Sequence, residues 1–79
     1  MILPEDIITL SNLTPEDLTK LIQDEGYLGY RFENATFIGI TGEAFVYSIF
    51  VPEDYTNDEH YVNVYVVIDD RTRKISADY

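Results

Sequence analysis

The sequence predicts an α+β domain: one or two short N-terminal helices packed on one face of a three- to four-stranded antiparallel meander. Three observations carry this. The triplet Pro-Glu-Asp occurs at residues 4–6 and 15–17, each time ahead of apolar residues and a leucine. Residues 61–68 alternate strictly between two faces. Turn residues separate the later apolar runs at short intervals. The 79 residues form a single compact domain spanning 1–79, with no linker or low-complexity tract.

The first segment, "LPEDIITLS", reads as a short helix or helical turn. Pro4 suits a first helical position, Glu5 and Asp6 follow it, and Ile7, Ile8 and Leu10 supply apolar contacts. The second, "NLTPEDLTKLIQDEG", is the stronger helix signal, expected over 15–25. Thr14 suits the N-cap and Pro15 the first turn. Glu16 and Asp17 lie at the positive end of the helix dipole. Leu13 and Leu18 are spaced as a hydrophobic staple. Leu18, Leu21 and Ile22 make one stripe, and Gly26 is a natural stop.

"YLGYRF" (27–32) reads as an extended segment. "ATFIGITGEAFVYSIFV" reads as two strands about a turn at Thr41-Gly42-Glu43. Both faces of the second strand are apolar, so its core face is not decided by pattern. In "YVNVYVVID" the core face is Val62, Val64, Val66 and Ile68, and the other face is Tyr61, Asn63, Tyr65 and Val67. Residues 69–73 form a turn. A last strand follows, with Ile75, Ala77 and Tyr79 on one face.

Charge is the strongest global signal. Fifteen acids against five bases give −10, and residues 1–70 alone carry −12. Such a surface repels nucleic acid and anionic lipid and attracts basic proteins. The acids recur as adjacent pairs: Asp24 and Glu25, Glu53 and Asp54, Asp58 and Glu59, Asp69 and Asp70. Arrayed along one face, such pairs imitate duplex phosphates and fit the basic groove of a nucleic-acid-binding protein. Small acidic cysteine-free α+β chains are, by analogy of type, the kind that mobile elements such as phages use to block host nucleases.

The stretch "VPEDYTNDEHY" (51–61) concentrates the alternatives. As punctuation, Pro52 opens a short helical turn with Glu53 and Asp54 behind it. As a metal loop it lacks the calcium-loop order and any glycine. As a catalytic cluster it has His60 beside Glu59, but neighbours on a strand point to opposite faces. The chain has no cysteine and no nucleophile elbow, His-Glu-x-x-His, phosphate loop or dinucleotide fingerprint. The expectation is a non-enzymatic module without cofactor or metal.

Seven tyrosines and four phenylalanines are more than a small core encloses. Tyr55, Tyr61 and Tyr65 are the expected aromatic anchors beside the acids. The expected function is inhibition of a basic nucleic-acid-handling protein, through Asp24, Glu25, Glu53, Asp54, Asp58, Glu59, Asp69, Asp70 and those tyrosines. The alternative is an assembly subunit that self-associates through its sheet as a homodimer, Arg71, Arg73 and Lys74 pairing with acids of a second copy. Acids and a proline in the first ten residues, rather than a basic leader, lead to a cytoplasmic expectation with no membrane contact.

Overall fold

A computed structural model describes residues 2–27, 32, 34–51 and 60–78. Two helices, α1 (Pro4–Leu10) and α2 (Pro15–Asp24), precede four strands: β1 (Asn34–Thr41), β2 (Ala44–Val51), β3 (His60–Ile68) and β4 (Ile75–Asp78). The sheet order is β1-β2-β3-β4, with every pairing antiparallel. This is the predicted α+β architecture. Among the described residues no helix is long and apolar enough to cross a membrane.

Pro-Glu-Asp starts both helices by one mechanism. Proline takes the first position, where its missing N–H has no helical partner to lose. Aspartate, two residues on, reaches back to the N-cap backbone: Asp6 Oδ2 accepts from the Leu3 N–H at 2.8 Å, and Asp17 Oδ2 from the Thr14 N–H at 3.0 Å. Thr14 completes its box, its Oγ1 accepting from the Asp17 N–H at 3.1 Å. Leu3 has no side-chain acceptor, so α1 has only the returning half. The third Pro-Glu-Asp, at 52–54, lies outside the described residues.

α2 ends one residue earlier than expected, with Glu25 as its C-cap. Gly26 follows at φ +103°, its N–H donating to the Gln23 carbonyl at 3.0 Å, while the Tyr27 N–H donates to Ile22 at 3.3 Å. This double bond pattern needs a left-handed residue, which is why glycine stands there. Of the "YLGYRF" segment only Tyr27 and Phe32 are described, and neither is in a strand. Phe32 is buried, and its N–H donates to Thr19 Oγ1 at 3.0 Å.

Gly42 and Glu43 close the β1–β2 hairpin, with Thr41 opposite Ala44. Gly42 has φ +61° and Glu43 does not share the positive φ, as a type II′ turn requires. An extra residue in β1, Ile38, shifts the register between Phe37 and Gly39.

The core lies between the helices and one sheet face. Leu10, Leu18 and Ile22 pack with Phe45, Tyr47, Ile49, Val64, Val66 and Ala77. This decides the face of β2 that the pattern left open: Phe45, Tyr47 and Ile49 point inward. Val64 and Val66 are buried as predicted, with Val62 and Ile68 partly so. α1 departs from expectation. Only Leu10 enters the core; Ile7 and Ile8 are 45% and 69% exposed, and Asp6 is buried instead. A helix of seven residues is too short to hold itself. Its contacts with the sheet hairpins, described next, do that.

Candidate protein-binding surfaces

Two kinds of surface remain once the core is formed: acids, and the sheet face away from the helices. The acids divide by what the fold does with them. Asp6 and Asp17 hold helix starts, and Glu5 and Glu16 stand beside them in the first turns, where the helix dipole favours negative charge. Asp6 also accepts from Arg73 Nη2 through both oxygens, at 2.6 and 2.7 Å. The Arg73 guanidinium, and next the Leu3 N–H, hold the Asp6 carboxyl below its ordinary value of 3.8. Arg73, expected to face a second copy, is thus paired within its own chain.

Asp69 is likewise engaged. Its Oδ1 accepts from the N–H groups of Arg71 and Thr72, both at 2.8 Å, shaping the β3–β4 turn. Those bonds, Thr72 first, lower its pKa from 3.8. Asp70 is exposed beside it. The turn gathers Glu43, Asp69 and Asp70 around one depression at that end of the sheet, which Val67 and Ser76 also line.

Asp24 and Glu25 are different. They end α2 at its negative pole, and the last turn contains no basic residue to offset them. Like charge at a helix C-terminus is unfavourable. Both are exposed, and Asp24 borders a groove formed by Leu13, Leu21 and Ile75. Lys20, four residues earlier on α2, lines the same groove as Asp24, and the last turn supplies no base beyond it. Glu53, Asp54, Tyr55, Asp58 and Glu59 lie outside the described residues.

The outer sheet face is built by strand alternation. Pairing aligns three rows across it, and Thr41 opposite Ala44 and Val67 opposite Ser76 continue the face at the turn end. Asn34, Phe50 and Tyr61 form one, with the Phe50 and Tyr61 rings 5.3 Å apart. Thr36, Ser48 and Asn63 form the next. Val46 and Tyr65 form the third, where the β1 bulge sets Ile38 beside them. Tyr61 is 72% exposed, Tyr65 42% and Ile38 57%, yet Val46 is only 6% exposed because its neighbours cover it. Asp78 is the one charged side chain among the described outward strand positions. The two tyrosines singled out from alternation are therefore on the open face, but Tyr61 stands near the start of β3 and Asp69 just past its end, roughly 26 Å at ~3.3 Å per residue. The acids of the β3–β4 turn adjoin the open face at its Val67 and Ser76 end, away from Tyr61.

Sequence reasoning missed Tyr47. Its side chain is 1% exposed, and its hydroxyl donates to the Leu10 carbonyl and accepts from the Leu13 N–H at 3.0 Å. Burial pushes its pKa above 10.0. No pattern marks it, because its partners are backbone atoms of a distant helix junction.

His60 opens β3 opposite Val51. Among the described residues no group of three or more His, Asp or Glu is placed to hold a metal ion. No protein-family profile, curated protein or solved structure matches the chain.

Proposed function

We propose that the chain is a small acidic, non-enzymatic protein-binding module that docks on a basic nucleic-acid-handling protein and blocks it by occupying the site of nucleic acid. The observation that carries this is the pair Asp24 and Glu25 at the wrong end of a helix. A residue choice that breaks a local rule with little local gain points to a role outside the fold. The acids of 53–59 and Asp70 add to the same net charge.

Mimicry of a duplex here is a matter of field rather than replica. Ten net charges along a 40 Å axis are one per 4 Å, against about one per 1.7 Å in a duplex. That density steers a basic groove toward the molecule without matching every phosphate.

The test is capture from a lysate at low salt with salt-gradient elution, followed by competition with duplex DNA. A basic nucleic-acid-binding protein is expected to elute at moderate salt and to be displaced by the duplex. Asp24→Lys with Glu25→Lys, and Asp58→Lys with Glu59→Lys, should each weaken capture. Retention that ignores salt, duplex and all four reversals overturns the reading.

A further inference from the structure

The open sheet face presents Ile38, Tyr61, Tyr65 and Val67 to solvent, and the described acids Asp24, Glu25, Asp69 and Asp70 lie off its strands. We propose that it is the interface of a homodimer, in which two copies pack face to face as a β-sandwich. This goes beyond the acidic-partner reading and stands separately from it.

Charge selects the occupant. The molecule carries −10, yet among the described outward strand positions only Asp78, on the short edge strand, is charged. A basic partner or a cationic surface finds no matching acid in the centre of this face. Nucleic acid and anionic membrane are repelled by the whole. A second copy presents a face that is neutral and aromatic by construction, and keeping charge off it is what two molecules of like sign need in order to meet.

The pattern along the strands is also self-complementary. Over three rows it runs apolar, polar, apolar: Phe50 with Tyr61, then Ser48 with Asn63, then Val46 with Tyr65, with Val67 opposite Ser76 beyond them. A two-fold axis crossing the strands at Ser48 and Asn63 lays the first row of one copy on the third row of the other. The middle row then meets itself, amide and hydroxyl side chains bonding across the axis, as buried polar groups must. Sheets packed this way sit about 10 Å apart, the reach of interdigitating tyrosine and valine side chains.

The area is adequate and small. Three strands about 27 Å long and the four-residue β4, about 13 Å, spaced about 4.8 Å apart, present roughly 450 Å² per copy. A pair buries roughly 900 Å², close to the lower bound for a specific interface. The dimer is therefore expected to dissociate in the micromolar range rather than below it.

Sedimentation equilibrium from about 1 µM to 1 mM tests this. The expected result is a shift from 9.1 kDa toward twice that mass. The dimer should tighten as salt rises from about 0.05 to 0.5 M, because screening reduces repulsion between two acidic copies. That is the opposite of an acid-driven complex with a basic partner, so the two readings fail independently. Asn63→Asp places two like charges on the axis and should return the mass to 9.1 kDa with the circular dichroism spectrum unchanged. Tyr61→Ser, at a position 72% exposed, should weaken the dimer at least tenfold. A monomer at 1 mM in 0.5 M salt overturns the proposal. So does a dimer that neither substitution weakens, which would place the contact on another surface.

Discussion

The Arg73 guanidinium donates through Nη2 to both oxygens of the Asp6 carboxylate, across 67 residues of chain. It fastens the first helix to the last hairpin. Arg73 does this from φ 60°, the single non-glycine residue with positive φ among those described. A side chain that keeps its backbone in that region is held there by what it contacts.

Two substitutions at Arg73 separate these effects. Arg73→Ala loses the ion pair and keeps the unfavourable backbone. Arg73→Gly loses the same pair but relieves the backbone. Glycine should therefore be the more stable variant by about 1 kcal/mol, with both below wild type. Urea unfolding measures the difference; equal stabilities would show that φ at this position carries no cost.

The same pair fixes an acid response. The Asp6 pKa is lowered in the folded state, so its stabilisation is fully present above the unfolded value near 4. It is lost as pH falls through the folded value. The stability gap between wild type and Asp6→Asn should be constant from pH 7 to about 5 and shrink below about pH 4. Thermal melts across pH 2–7 test this; a gap that stays constant down to pH 2 excludes the linkage.

Tyr47→Phe removes one hydroxyl and leaves the Leu10 carbonyl and the Leu13 N–H without it. Burying unpartnered backbone groups costs about 1–3 kcal/mol. At roughly 4–8 °C per kcal/mol for a domain of this size, the Tm should fall visibly. In a spectrophotometric titration Tyr47 should ionise above the ordinary tyrosine value of 10.0, since burial raises its pKa, and Tyr47→Phe should abolish that late phase. Its persistence in the variant would assign it to another tyrosine.

The two helices provide a contrast between burial and sequence. Ile22→Ala, at a position with no exposure, should cost about 2–5 kcal/mol. Ile8→Ser, at 69% exposure, should stay within about 0.5 kcal/mol of wild type. Asp24→Lys should stabilise by up to about 0.5 kcal/mol, the gain from reversing charge at the negative pole of the helix being offset in part by repulsion from Lys20 four residues earlier. Denaturant midpoints decide all three; a destabilised Asp24→Lys would show that the carboxylate has a structural partner.

What was legible in the sequence follows from where information is local. Pro-Glu-Asp declares a helix start within three residues, and Val62, Val64 and Val66 declare a face because Tyr61, Asn63 and Tyr65 between them are polar or aromatic. β2 declares none, since Val46 and Phe50 on its outer side are as apolar as Phe45 and Ile49 on its inner side. In α1 seven residues contain too few turns to tell a core stripe from an exposed one, so Ile7 and Ile8 read as core. Tyr47 and Arg73 act on partners 34 to 67 residues away, which no spacing rule reaches. Of the candidate site, the tyrosines on β3 were legible from alternation. The distinction between acids that hold the fold, such as Asp69, and those that do not, such as Asp24, needed atomic positions.

The meander order has a consequence for the order of events in folding. Each strand pairs with its neighbour in sequence, so every hairpin closes a short loop at modest entropic cost. The Asp6–Arg73 clasp joins residues near opposite ends of the chain and is expected to close last. Interactions absent from the transition state govern escape from the native state rather than arrival at it. Loss of the clasp should therefore leave the refolding arm of a chevron in place and raise the unfolding arm, making it a latch on the lifetime of the folded molecule.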